Sequence, residues 1–195
     1  MPSVSFGNNN LRVYCGGSET SEVIKLCNAS TGKVLEEFEG LNDRTIAMCE
    51  SPNGKYFAAA SGPSKGKVLE SGDIFPENRV VIWKSNGQIL QDIQIDEGWQ
   101  WAVTFTPDSR YLITGGSGTV EIGDGDWFGH NHDADTNIRV WEVESGELVQ
   151  TLEGHNAAVL GLAVTPDGKT LVSSSSDSTV RLWDLADELL DKSAN

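Results

Sequence analysis

The sequence predicts an all-β fold of four repeated units, each a sheet of four antiparallel strands. Three observations lead to it. A short apolar strand running into a turn of Pro plus polar residues occurs at Met48–Gly54, Val103–Ser109 and Ala163–Gly168. Each is followed by a second strand, at Tyr56–Ala60, Tyr111–Thr114 and Thr170–Ser173. Further on, an alternating strand ends in Trp three times, at Val80–Trp83, Ile138–Trp141 and Val180–Trp183. Pro presets φ in such turns, Asn, Asp and Gly tolerate the bend that follows, and the β-branched and aromatic residues on either side suit pleated strands.

Strands are lettered a to d within each unit, in chain order. In unit one, Val4–Phe6 falls where Val103–Phe105 falls, Arg12–Ser18 matches Tyr111–Ser117, Ile24–Cys27 matches Ile138–Trp141, and Lys33–Phe38 supplies strand d. In units two and three a turn at Gly87 or Gly146 leads into strand d, at Gln88–Leu90 and Glu147–Leu152. Unit four has strands a to c but no obvious strand d, and Ala186–Asp191 reads as a short helix or a frayed end. The units span about 3–40, 41–96, 97–153 and 154–185, within a single repeat domain, with a tail at 186–195.

Spacing locates two insertions. Trp141 and Trp183 are 42 residues apart, Trp83 and Trp141 58, and Cys27 and Trp83 56. The excess falls between strands b and c of units two and three, at 62–77 and 118–136, and reads as Gly-rich polar loop. Insertions at one equivalent point of a repeat map to one face, commonly the binding face.

Composition narrows the function. The 195 residues carry 29 acidic and 14 basic side chains, a formal charge of −15. That field repels phosphate backbones and anionic lipid, which argues against nucleic-acid and membrane binding and favours a partner with a basic surface. Met1–Phe6 has no basic start or signal-length apolar run, and no stretch approaches the roughly 20 apolar residues that cross a bilayer. Three cysteines, Cys15, Cys27 and Cys49, are an odd number and too few for a disulfide framework. The expectation is a soluble cytoplasmic or nuclear protein with reduced thiols.

The repeat resembles the WD repeat, the four-stranded blade of a β-propeller, over about residues 3–185. The match is most specific in unit four: Gly154-His155, Pro166-Asp167-Gly168, Asp177 and Trp183-Asp184. The resemblance implies an all-β propeller segment of four blades. It also implies a hydrogen-bonded network within blade four, made by His155, Ser173, Asp177 and Trp183. The other blades depart from it. Blade three keeps Thr114 and Trp141 but has Asp96-Glu97 at the Gly-His position, and blade two keeps Trp83 but has Ala58 or Ala59 near the hydroxyl slot. Blade one puts Cys15 and Cys27 in the hydroxyl and Trp slots. Blade four is therefore expected to be the most rigid.

Beyond that network, four sets of residues invite a functional reading. The loop 123–135 gathers Asp124, Asp126, His130, His132, Asp133 and Asp135 around Trp127 and Phe128. Carboxylates suit calcium and His-plus-carboxylate sets suit zinc, with His130, His132, Asp133 and Asp135 as metal candidates. It lacks EF-hand spacing, and a solvated insertion anchored by its two aromatics is the plainer account. A protein-contact role for Trp127 and Phe128 is preferred to the metal site, since exposed aromatics are favoured interface anchors. Arg44 and Trp99, at equivalent points before strand a, open onto the top face in the family, although packing of Trp99 on Trp101 competes. Cys15 and Cys27 bring two sulfurs close, yet nothing marks either as activated, and two small core residues is the simpler account.

Catalysis finds no motif: there is no Gly-x-Ser-x-Gly elbow and no phosphate-binding Gly-rich loop. The expectation is a non-catalytic interaction scaffold, without cofactor, binding a protein or peptide on the face of the two insertions. A metal-binding or sensor module using loop 123–135 is the alternative, and a hydrolase-type propeller enzyme is third. Four blades of this type do not close a ring alone. Two copies pairing into an eight-blade ring, or continuation as part of a longer propeller, would cover the open faces.

Overall fold

The computed structural model describes residues 4–7, 11–16, 23–41, 44–62, 67–68, 74–75, 78–95, 99–117, 119–122, 126–130 and 135–185; of these, 44, 62, 67–68, 74–75, 117, 119–122 and 126–130 are described by backbone alone. The chain divides into two compact units, Met1–Asp96 and Glu97–Asn195. All regular structure among the described residues is β.

The first unit holds two four-stranded sheets. One runs in chain order, β1 (Val4–Phe6), β2 (Arg12–Cys15), β3 (Ile24–Asn28) and β4 (Val34–Phe38). The other is formed by β5 (Arg44–Glu50), β6 (Tyr56–Gly62), β9 (Arg79–Lys84) and β10 (Ile89–Gln94), each paired antiparallel with the next. Between β6 and β9 lies a small hairpin, β7 (Lys67–Val68) with β8 (Ile74–Phe75).

In the second unit β11 (Trp99–Phe105), β12 (Tyr111–Ser117), β15 (Ile138–Glu142) and β16 (Leu148–Leu152) form one sheet. A three-stranded sheet follows, β17 (Val159–Val164), β18 (Thr170–Ser175) and β19 (Val180–Asp184). A second hairpin, β13 (Thr119–Ile122) with β14 (Asp126–His130), stands between β12 and β15. Each four-stranded sheet is one blade, meandering from strand a to strand d, and the three-stranded sheet supplies strands a to c of the fourth blade. The tail 186–195, whose Ala186–Asp191 reads above as a short helix or frayed end, lies outside the described residues.

Two features differ from the sequence reading. Both insertions contain an antiparallel hairpin, where the Gly-rich composition suggested irregular loop. Backbone pairing can form wherever two short segments meet, and composition does not report it. Strand a is also longer than the apolar run that marks it: β5 begins at Arg44 and β11 at Trp99, paired with Gly62 and Ser117 respectively. Its extra length contains a bulge, at Thr45/Ala47 in β5, Gln100/Ala102 in β11 and Val159/Gly161 in β17. An extra residue re-aims the side chains beyond it, so Gln100 is buried while Leu160 is exposed. Gly116 is required at this bulge in β11–β12, because a Cβ there would overlap the carbonyl oxygen of Trp99.

The Pro turns repeat atom for atom. Ser51, Thr106 and Thr165 each accept a backbone hydrogen bond at the carbonyl, from Gly54, Ser109 and Gly168, at 2.8 Å. Their hydroxyls donate to Asn53, Asp108 and Asp167 and accept from the amides of Tyr56, Tyr111 and Thr170. Gly54 and Gly168 take positive φ there, and Ser109 follows them at 62°.

The cores lie between sheets of the same unit. In the first, Tyr14, Ile24, Leu26 and Phe38 of one blade meet Met48, Phe57, Ala59, Val81 and Trp83 of the next. Tyr14 stacks on Phe57 with ring centroids 4.0 Å apart, and Phe38 meets Trp83 edge-on at 5.8 Å. In the second, Tyr111, Ile113, Ile138 and Val140 pack with Val159, Leu171 and Leu185. The middle strands β6 and β9 are buried on both faces, which explains their nearly unbroken apolar sequence.

Candidate functional site

The best-formed side-chain cluster is in the last blade. The register sets Leu171 opposite Trp183 and Ser173 opposite Arg181, so Ser173 and Trp183 share a face on one diagonal of β18–β19. Trp183 Nε1 donates to Ser173 Oγ at 2.8 Å, and Ser173 Oγ lies 2.7 Å from His155 Nε2. The other ring nitrogen, Nδ1, lies 2.8 Å from Asp177 Oδ2. A carboxylate only accepts, so in the neutral ring the proton sits on Nδ1 and the Ser173 hydroxyl donates to Nε2. Indole, hydroxyl, imidazole and carboxylate thus form one directional chain. His155 and Ser173 are buried, so no water replaces a lost partner there.

Asp177 also closes the β18–β19 turn. Its Oδ1 accepts from the Thr179 hydroxyl at 2.6 Å and amide at 2.8 Å, while Oδ2 accepts from the amide of Asn156. The Thr179 hydroxyl and then His155 hold the carboxyl well below the usual carboxylate range. A pKa depressed in the folded state means stability that is complete above the unfolded value of about 3.9 and is lost as pH falls through the folded one. Acid titration of the unfolding midpoint is therefore expected to be steeper below that value in the native chain than in Asp177→Asn. Superimposable acid limbs would show that the turn carboxylate carries none of the acid sensitivity.

Blade three carries a reduced form of the same arrangement. Trp141 Nε1 donates to Thr114 Oγ1 at 3.1 Å. Asp135 stands six residues before Trp141, as Asp177 stands six before Trp183. It pairs with Arg139 and accepts from the Asn137 amide at 2.9 Å. Asp135 is thus the turn carboxylate of blade three, not part of the insertion to which the sequence reading gave it. The shared Asp-x5-Trp spacing was the signal that could have revealed this. Thr136 beside it donates to the His155 carbonyl, tying this turn to the start of blade four.

In blade two the register places Ala59, with no hydroxyl, in the slot of Ser173 and Thr114. Trp83 Nε1 turns instead to the carbonyl of Glu39, at 2.9 Å. In blade one Cys15 is exposed and Cys27 half-buried, so the reading of both as core residues fails for Cys15.

The remaining sequence candidates divide. Trp99 is 4% exposed and tilts against Trp101 with centroids 5.1 Å apart, which matches the packing reading better than an open anchor. Arg44 begins β5, and Trp127, Phe128 and His130 lie on β14, with only their backbones described. His132 and Asp133 lie outside the described residues. Among the described residues no group of three or more His, Cys, Asp and Glu is placed to hold a metal ion, and no helix is long and apolar enough to cross a membrane.

This fold and cluster define a class: repeat proteins built from four-stranded antiparallel blades, with a Trp–Ser–His–Asp network tying the strands of a blade together. Residues 87–124 and 146–184 match the WD domain, G-beta repeat. These matches support the WD-repeat family, whose repeat two stretches of the chain carry. It is 27% identical to the APC/C activator protein CDH1 of Saccharomyces cerevisiae over 84% of its own length and 26% of that protein's. It is also 27% identical to an uncharacterised WD repeat-containing protein of Synechocystis over 81% of its length and 37% of the relative's. With Protein HIRA of Oryza sativa the identity is 29%, over 76% and 15%. The chain therefore spans well under half of the length of these relatives.

Proposed function

We propose that this chain is a non-catalytic scaffold, cytoplasmic or nuclear, that binds a protein or peptide through the insertions between strands b and c of blades two and three. The observation that carries the reading is the repeated placement of those insertions. Both leave their sheets at the equivalent point, and each holds a hairpin, β7–β8 or β13–β14. A structural repeat needs neither excursion to bury its core, and excess at one point of successive repeats marks a contact surface. The CDH1 relative, by name an activator of the APC/C, points the same way. A charge of −15 favours a partner with a basic surface, whose association is faster at low salt. Arg44, Trp127 and Phe128 are the residues on or beside these segments whose types favour protein contact, while Trp99, equally favoured by type, is buried against Trp101.

The test is quantitative capture of a partner by the intact chain and by a variant lacking 119–133. That deletion keeps Asp135 and Thr136, which hold Arg139 and the His155 carbonyl. The expected result is at least a roughly tenfold loss of affinity with an unchanged unfolding midpoint, the cost of about 1.4 kcal/mol of contact. Substitutions in the Pro turns, at Asn53 or Lys169, are expected to be silent. If the deletion is silent and the turn substitutions abolish capture, the binding face is the opposite one.

A further inference from the structure

Blade one lacks the lock that ties strand b to strand c in blades three and four. In blades three and four that lock is an indole N–H donating to a hydroxyl, Trp141 to Thr114 and Trp183 to Ser173. The register of β2 with β3 sets Val13 opposite Cys27 and Cys15 opposite Lys25, the same diagonal on the same face. Two thiols therefore occupy the positions of the indole and the hydroxyl. Both are free, and Cys15 is exposed. Partial burial, and then Cys27 beside it, raise the Cys15 pKa.

We propose that Cys15 and Cys27 form a reversible cross-strand dithiol site that closes to a disulfide by exchange with a small-molecule disulfide such as oxidised glutathione. The exposed Cys15 thiolate attacks one sulfur of that disulfide; its S–S bond breaks, and the departing thiolate takes up a proton. Cys27, as thiolate, then attacks the Cys15 sulfur of the mixed disulfide and expels the second small thiol. Two protein thiols are oxidised to one disulfide, and one small disulfide is reduced to two thiols. The raised Cys15 pKa makes the first step slow at neutral pH and faster as pH rises.

Geometry makes the bond labile. Diagonal positions on neighbouring antiparallel strands lie about 7–8 Å apart, and disulfides span Cα separations of about 4.4–6.8 Å. Closure must draw β2 and β3 together, and a strained disulfide is readily reduced. Blade one would thereby gain a covalent lock under oxidising conditions and lose it under reducing ones.

The experiment incubates the full chain with excess oxidised glutathione from neutral to mildly alkaline pH, alkylates the remaining thiols and maps the peptides by mass spectrometry. One Cys15–Cys27 disulfide per chain is expected, with Cys49 alkylated and the bond reopening on addition of reduced glutathione. Amide exchange in β2 and β3 is expected to slow roughly tenfold while it is closed. Cys15→Ser, which supplies the hydroxyl that Ser173 supplies in β18, is expected to lose the disulfide, and Cys49→Ser to keep it. A bond that includes Cys49, glutathione retained on Cys15 in the folded chain, or three thiols still open to alkylation would each overturn the proposal. Mapping of the unsubstituted chain decides this even if a variant fails to fold.

Discussion

Trp83→Ala is expected to destabilise the chain by about 3–5 kcal/mol, the range for deleting a large aromatic from a packed core. Trp83 is fully buried, with Phe38 and Phe57 against its ring. It fills the seam where blade one meets blade two. Truncation opens a cavity among rigid sheets that cannot collapse into it, and it leaves the Glu39 carbonyl without the indole donor. Trp83→Phe should recover most of the packing and none of the hydrogen bond, so it is expected to fall between native and Ala. Denaturant unfolding reads both, provided the slope with denaturant is unchanged. A loss below about 1 kcal/mol for the Ala variant would mean that this seam carries little of the stability.

For His155→Ala the expected loss is about 2–4 kcal/mol, by a different route. The volume removed is modest, but the buried Ser173 Oγ and the half-buried Asp177 Oδ2 both lose a partner. Trp183→Ala should cost a similar amount from the other end of the chain of bonds. If the cluster acts as one network, His155→Ala combined with Ser173→Ala costs clearly less than the two separate losses added together. Additive losses would reduce it to independent contacts, and an unmoved melting temperature for His155→Ala would remove it as a stabilising device. Partner capture should change only as far as folding does.

The two variants also separate what was legible in the sequence from what was not. The blade-four network could be read directly, because Gly154-His155, Asp177 and Trp183-Asp184 stand at fixed spacings and Ser173 follows from the strand register. The importance of Trp83 could not be read the same way. Blade two spells the repeat poorly, yet Phe57, Ala58, Ala59, Val80, Val81, Ile82 and Trp83 are all at most 1% exposed. Fit to a motif and depth of burial are separate properties. The expectation that blade four is the most rigid rests on the first alone.

The sequence by itself determined the all-β class, the four-stranded repeat and the turn chemistry. These are local matters: period-2 alternation, Pro and Gly at turns, and spacing along one chain. Tertiary structure alone decided which partner each polar group finds. Asp135 turns to Arg139 in a blade that has Asp96-Glu97 where blade four has Gly154-His155, and Trp83 turns to the Glu39 carbonyl because Ala59 offers no hydroxyl. It also decided that Trp99 is buried while Cys15 is exposed, and that the insertions contain hairpins. The physical reason is that hydrogen-bond partners and burial depend on neighbouring strands and sheets. Alternation tells which side chains share a face, but only packing tells what lies against it.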